Sequence, residues 1–163
     1  MTVVCDASPL IFLAKLDRLG LIARLLGPEV VVVECVAREV TDIKRAGEIE
    51  RARLEAFLAT ATVVPYTETT PAPARLSTCD RQTLAYAIRQ RPDFLLVDER
   101  LLRRIADEQG LVTIGTLGLL TAAVKHGHLS ATNAARDLDL AVSRHGFRIS
   151  VALYQRFRQE IGA

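Results

Sequence analysis

Five short runs of β-branched and aliphatic residues, Val3-Val4-Cys5, Val30 to Val33, Thr62-Val63-Val64, Phe94 to Val97 and Val112 to Ile114, alternate along the chain with segments of helix length. A run such as Val30 to Val33, with no polar residue to turn toward water, belongs to a strand covered on both faces. Strands of that kind separated by helices build βαβ units and a parallel sheet. Between the runs, Ser8-Pro9 reads as an N-cap followed by Pro at the first helical position, with Leu10, Leu13, Ala14 and Leu16 as the apolar stripe. Further helices are expected at about 19–26, 35–40, 46–59, 77–89, 99–109, 116–126, 131–143 and 150–160. Residues 65–75 hold three prolines and read as a surface loop within one domain, 1–163, on which the C-terminal helices, about 131–160, pack. No internal repeat is visible.

With 163 residues the chain is long enough to bury a sizeable core without disulfide staples. Half of it is hydrophobic, which excludes a disordered or collagen-like chain. No apolar stretch reaches the roughly 18 residues of a membrane span. The opening Met1-Thr-Val-Val-Cys-Asp lacks the basic and long apolar regions of a signal peptide, so the expected location is the cytoplasm. Cys5, Cys35 and Cys79 form no CxxC pair and leave an odd count, which fits reduced buried thiols better than a disulfide or a zinc site. The formal net charge of +2 argues against strong nonspecific nucleic-acid binding by bulk charge. Of the 21 cations only Lys15, Lys44 and Lys125 are lysine. Arg suits bidentate contact with phosphate or carboxylate, and a GC-rich genome produces the same bias.

In open parallel sheets, sites form beyond the carboxyl ends of strands where the topology changes direction. Two of the apolar runs end on an aspartate, Asp6 and Asp98. A carboxylate placed there has to sit at the sheet edge, because unpaired burial is costly. Glu39, about one helical turn past the second run, and Asp80, in the first turn of the helix before the Asp98 run, are placed to join them. Four carboxylates at roughly 4 to 6 Å repel one another unless a divalent cation neutralises them or some stay protonated. An all-oxygen donor set selects Mg²⁺ or Mn²⁺, the pattern of metal-assisted phosphodiester chemistry.

These residues carry a resemblance. Val-Val-Cys-Asp6-Ala-Ser8-Pro-Leu-Ile, Val-Ala-Arg-Glu39-Val, Leu-Ser-Thr-Cys-Asp80 with Leu84-Ala85-Tyr-Ala87, and Leu-Leu-Val-Asp98-Glu99 resemble the four acidic motifs of the PIN-domain ribonucleases. Val112-Thr-Ile-Gly115-Thr116-Leu-Gly-Leu-Leu and Gly146-Phe-Arg-Ile-Ser150 are similar to one bacterial and archaeal subfamily. The chain departs from that pattern at Cys79-Asp80, where the subfamily more often has Gly-Glu, and at Gln82, where a further acid is common. The resemblance implies a three-layer α/β fold with a central parallel sheet of about five strands flanked by helices. It implies a metal-dependent endoribonuclease acting on RNA, a toxin-type role with an antitoxin partner, and a homodimer. Asp6 and Asp98 are expected to bind the metal most directly, with Glu39 and Asp80 completing the shell or activating water. Ser8 and Thr116 are candidates to hold a carboxylate or a metal-bound water, and Thr116 also to contact phosphate at a helix N-terminus.

Each residue also has a structural reading. Ser77-x-x-Asp80 is the spacing of a capping box, and Asp6, Ser8, Asp98 and Thr116 all suit N-caps. Glu39 could be a solvated helix acid, with Glu34 and Asp42 its rivals, and Glu99 reads as surface. Arg100, Arg103 and Arg104 share one helix face, suited to flanking phosphates or to pairing with Asp107 and Glu108. Lys44, Arg45, Arg51 and Arg53 interleave with Glu48, Glu50 and Glu55 and read as an exposed helix face. His126 before Gly127 reads as charge at a helix C-terminus. The three Tyr and five Phe show no cluster with the arginines, so no base-stacking platform is evident. Two further functional readings stand beside the nuclease: a non-catalytic RNA- or protein-binding module, and an Asp-based phosphatase. The second lacks the acid two residues after Asp6, where Ser8 stands.

Overall fold

The structure is a computed structural model that describes residues 1–42 and 47–163. Lys44, Arg45 and the expected helix start at Ala46 lie outside the described residues. Five parallel strands form one sheet: β1 (Thr2–Cys5), β2 (Glu29–Val33), β3 (Thr62–Val64), β4 (Phe94–Leu96) and β5 (Thr113–Ile114), in the order β3-β2-β1-β4-β5. The helices among the described residues are α1 (Ala7–Lys15), α2 (Gly20–Leu26), α3 (Glu34–Val40), α4 (Glu48–Thr60), α5 (Thr78–Gln90), α6 (Arg100–Glu108), α7 (Thr116–Lys125), α8 (Ala131–Arg144) and α9 (Val151–Ile161).

Strand alternation divides the core between the two faces of the sheet. Val3, Cys5, Val30, Val32 and Leu96 pack with residues of α1 to α4 and α7 to α9. Val4, Leu95 and Val97 pack with Leu84 and Ala87 of α5 and Leu102 and Ala106 of α6. Helices on both faces explain why the runs carry so few polar residues, and they make the three layers of the expected α/β fold. Each strand but the outermost is paired on both sides, with Cys5 opposite Val32 and Leu96.

The chain moves outward from β1 through β2 to β3, then returns to the other side of β1 for β4. Direction therefore reverses between β1 and β4, the place where ligands collect in such sheets. On the α8 side, a buried ion pair joins distant parts of the chain: Arg18 Nε lies 2.7 Å from Asp137 Oδ2, and Asp137 is buried.

The cysteine expectation requires correction. Cys5 is a buried free thiol, but Cys35 and Cys79 are joined in a disulfide, with their Cα atoms 5.7 Å apart. They are 44 residues apart in sequence, so no short motif announces the pair. The bond ties α3, which carries Glu39, to the start of α5, which carries Asp80.

Candidate functional site

Asp6 follows β1 directly, and its backbone N–H donates to Leu96 O at 2.9 Å, which extends the β1–β4 ladder by one step. It occupies the N-cap position of α1, but its side chain makes no capping hydrogen bond. Ser8-Pro9 is correspondingly not the helix start: α1 begins at Ala7, and both residues sit in its first turn. Proline is tolerated there because the first N–H groups of a helix have no intrahelical partner. Ser8 is exposed at the mouth of the site.

The Asp6 side chain is only 3 % exposed. Burial pushes its carboxyl up to about 7, and the negative charge of Asp80 adds to the rise. The Ala7 N–H draws it back, while Glu39 and Asp98 push it further up. All three partner acids thus act on one buried carboxyl, which brings the four acids of the motifs to one end of the sheet.

Asp98 is fixed by its neighbours. Thr116 N donates to Asp98 Oδ1 at 2.7 Å, and Thr116 Oγ1 donates to Oδ2 at 2.6 Å. Burial raises the Asp98 carboxyl, whereas these two hydrogen bonds and the nearby Arg103 guanidinium lower it. Asp98 is not an N-cap. Glu99 takes that position, accepting from Leu102 N at 2.5 Å, so Glu99 is a capping residue and Asp98 is left to face the site. Thr116 is the first residue of α7, with Gly115 as its N-cap.

Gly115 is closely approached by two side chains of the site. A Cβ there would stand 2.9 Å from Asp98 Oδ1 and 3.2 Å from Arg103 Nη1. The absence of a side chain lets Asp98, Arg103 and the start of α7 meet.

Asp80 has two roles available to it. Ser77 N donates to Asp80 Oδ2 at 2.8 Å and Asp80 N donates to Ser77 Oγ at 3.0 Å, a complete capping box for α5. Its charge nevertheless reaches Asp6. Glu39 is half-buried near the end of α3, while its rival Glu34 opens the same helix and pairs with Arg38 at 2.9 Å. One turn along α5 from Asp80, the fully buried Thr83 hydroxyl has no hydrogen-bond partner among the described residues, a feature no sequence signal marked.

The donor set suits a hard divalent cation, since every acid offers oxygen. Among the described residues, no three acid, histidine or cysteine side chains are gathered closely enough to enclose one ion as they stand. Asp98 and Asp80 accept hydrogen bonds from Thr116 and Ser77 in this arrangement.

A cleft of about 820 Å³ opens at the Asp98 end, reaching the sheet edge at Ser8, Asp98 and Gly115. Arg103 lines it. Arg100 is exposed and outside its lining, and Arg104 lies 3.8 Å from Glu108, as the surface-pairing reading expects. The aromatic expectation is overturned: Phe12 and Phe147 meet edge to face with ring centroids 4.7 Å apart, and both line the cleft beside Arg148 and Arg156.

A PIN-domain family model, DUF3368, matches residues 2–163. The chain belongs to the PIN-domain family. PIN domains are commonly nucleases and typically use divalent metals. A PilT N-terminus domain protein, SSO1118, from the hyperthermophilic archaeon Sulfolobus solfataricus P2 has a similar PIN-like fold. It shares 16 % identity at a TM-score of 0.53, over 77 % of this chain and 96 % of that one. No curated protein matches this PIN domain in sequence. Among the described residues, no helix is long and apolar enough to cross a membrane.

Proposed function

We propose that this PIN domain is a divalent-metal-dependent endoribonuclease that hydrolyses RNA phosphodiester bonds. The observation that carries the reading is the Asp6 carboxyl, buried at the sheet edge and raised to about 7 by that burial first and then by the charges of Asp80, Glu39 and Asp98 around it. Such a concentration of like charge at a strand-switch point opposes folding unless it serves a cation.

Asp6, Asp98, Glu39 and Asp80 would hold Mg²⁺ or Mn²⁺. When bound, such an ion lowers the pKa of water and withdraws charge from a phosphoryl oxygen. The chain's own part is positioning. Thr116 fixes both Asp98 oxygens, so that carboxylate does not need to reorganise when a phosphate arrives. Arg103, which the space at Gly115 lets approach Asp98, supplies a positive group for a phosphate oxygen at the rim. Ser8, exposed in the first turn of α1, is placed to hydrogen-bond a water or phosphate oxygen.

The partners proposed with this activity are the RNA substrate, an antitoxin protein and a second copy of the chain, as in toxin–antitoxin nucleases. The deciding experiment is cleavage of a mixed RNA pool with and without Mn²⁺, comparing wild type with Asp6→Asn and Asp98→Asn. Cleavage by wild type alone, and only with the metal, is the expected result. Equal cleavage by all three proteins, or none by wild type with any divalent ion, removes the nuclease reading. RNA binding without cleavage would leave a binding module.

A further inference from the structure

The cleft beside Asp98 has a chemistry of its own, supplied largely by the end of the chain. After α8 the backbone turns at Gly146, in the left-handed region at φ +71°, and Phe147 N donates back to Ala141 O at 2.9 Å. That turn delivers Phe147 against Phe12 of α1 and leaves Arg148 exposed at the cleft. Arg156 of α9 and Lys125 at the end of α7 complete the wall, both exposed.

None of Arg103, Lys125, Arg148 and Arg156 forms an ion pair among the described residues. Elsewhere Arg18, Arg38, Arg51, Arg53, Arg75, Arg89, Arg104 and Arg158 each lie within 4.0 Å of a carboxylate, so what sets the cleft cations apart is their convergence on one wall beside Asp98. Besides Asp98, the acids lining the cleft are Glu160 and Glu99, and Glu99 is spent on Leu102 N. Of the three aromatic rings in the lining, Phe157 is buried and Phe12 carries the Lys15 ammonium 5.8 Å from its centroid. Phe147 is half-buried in the same lining.

We propose that this cleft binds single-stranded nucleic acid next to the scissile phosphate, its backbone on Lys125, Arg148 and Arg156 and a base stacked on Phe147. The assignment rests on the nuclease reading and adds to it the path of the strand. Unpaired cations follow a phosphate backbone, and an aromatic ring holds unstacked bases with little regard to sequence. The cleft also meets Asp98 directly, so a strand lying in it has a phosphate delivered to the acids.

The test is fluorescence anisotropy of a short labelled oligouridylate in EDTA across a salt titration, alongside RNA cleavage in Mn²⁺. Arg148→Ala/Arg156→Ala is expected to weaken binding about tenfold and to lessen the salt slope by roughly 1.4, the loss of two phosphate contacts on a single strand. Phe147→Ala is expected to weaken binding about tenfold with the slope unchanged, and Phe147→Trp to restore it. Arg24→Ala/Arg89→Ala, the same charge change outside the cleft, should bind as wild type does. Thermal melts confirm that each variant is folded. Wild-type cleavage with unaltered binding by Arg148→Ala/Arg156→Ala overturns the cleft assignment and leaves the nuclease standing, as does equal weakening by the control pair. A synthetic acidic peptide that loses binding on the cleft substitutions, while RNA does not, gives the cleft to a protein partner and also overturns it. No RNA binding and no cleavage by wild type removes the nuclease reading itself.

Discussion

Asp6 shows how a single side chain can be set against the stability of the fold that holds it. Burial and the neighbouring acids push its carboxyl up to about 7, from about 3.8 for a free aspartate. A raised carboxyl favours folding in its protonated form, so that stability is fully present below about pH 4 and is lost as pH rises through about 7. Asp6→Asn, which stays neutral, is therefore expected to stabilise the metal-free protein at pH 8, with a ceiling of about 4 kcal/mol from the size of the shift. At pH 4 the gain should disappear. Chemical denaturation in EDTA at the two pH values measures both, and equal stability at pH 8 sinks the account. Gly115 works by space: Gly115→Ala would put a methyl group 2.9 Å from Asp98 Oδ1, so Asp98 or Arg103 has to move. A fall in RNA cleavage of about a hundredfold with a melting temperature within a few degrees of wild type is expected, since an ångström at reacting groups costs that much. At this scale the Ser77–Asp80 capping box was legible in the sequence, whereas the caps expected at Ser8, Asp98 and Thr116 fall on other residues. Asp98 and Glu99 both suit an N-cap, and only the backbone path decides that Glu99 takes Leu102 N.

Among elements, the succession of strands and helices along the chain was legible because each apolar run is short and bounded by turn, loop or helix signals. What local pattern could not supply was contact between distant segments. Phe12 and Phe147 belong to α1 and the turn after α8, and their meeting follows from how those helices cover the sheet. The same is true of Cys35 and Cys79, joined across α3 and α5. A bond closing a loop of 44 residues restricts the unfolded chain by roughly 4 kcal/mol on the chain-entropy account. Reduction with a phosphine, or Cys35→Ser/Cys79→Ser, should accordingly lower the melting temperature by several degrees. An unchanged melt would show that the bond contributes nothing to stability. Because Glu39 and Asp80 ride on the two joined helices, cleavage rates measured in reducing and oxidising buffer belong beside that melt.

At the level of the whole molecule, a long-range ion pair joins distant elements, and the proposed cation would add a second link. Asp137 is buried on α8 and is compensated by Arg18 from the turn after α1. Arg18→Ala leaves that carboxylate without its partner and is expected to cost about 3 kcal/mol, read from urea denaturation. A loss under 1 kcal/mol would mean that water or another cation replaces the guanidinium. The second link is the proposed cation. A cation that binds only the folded acids raises the midpoint of unfolding with its concentration. Mn²⁺ should raise the melting temperature of wild type and leave that of Asp6→Asn/Asp98→Asn unmoved; a parallel rise in both would place the ion elsewhere.

The turn at Gly146 gives the molecule a division of labour along its length. The acids come from four places within the first hundred residues, whereas Phe147, Arg148 and Arg156 come from the last twenty or so. On the proposed path of the strand, substitutions near the end of the chain would alter which strand is gripped without disturbing the carboxyl groups. Grafting another tail onto the same sheet is thus a route to a different substrate preference with unchanged chemistry.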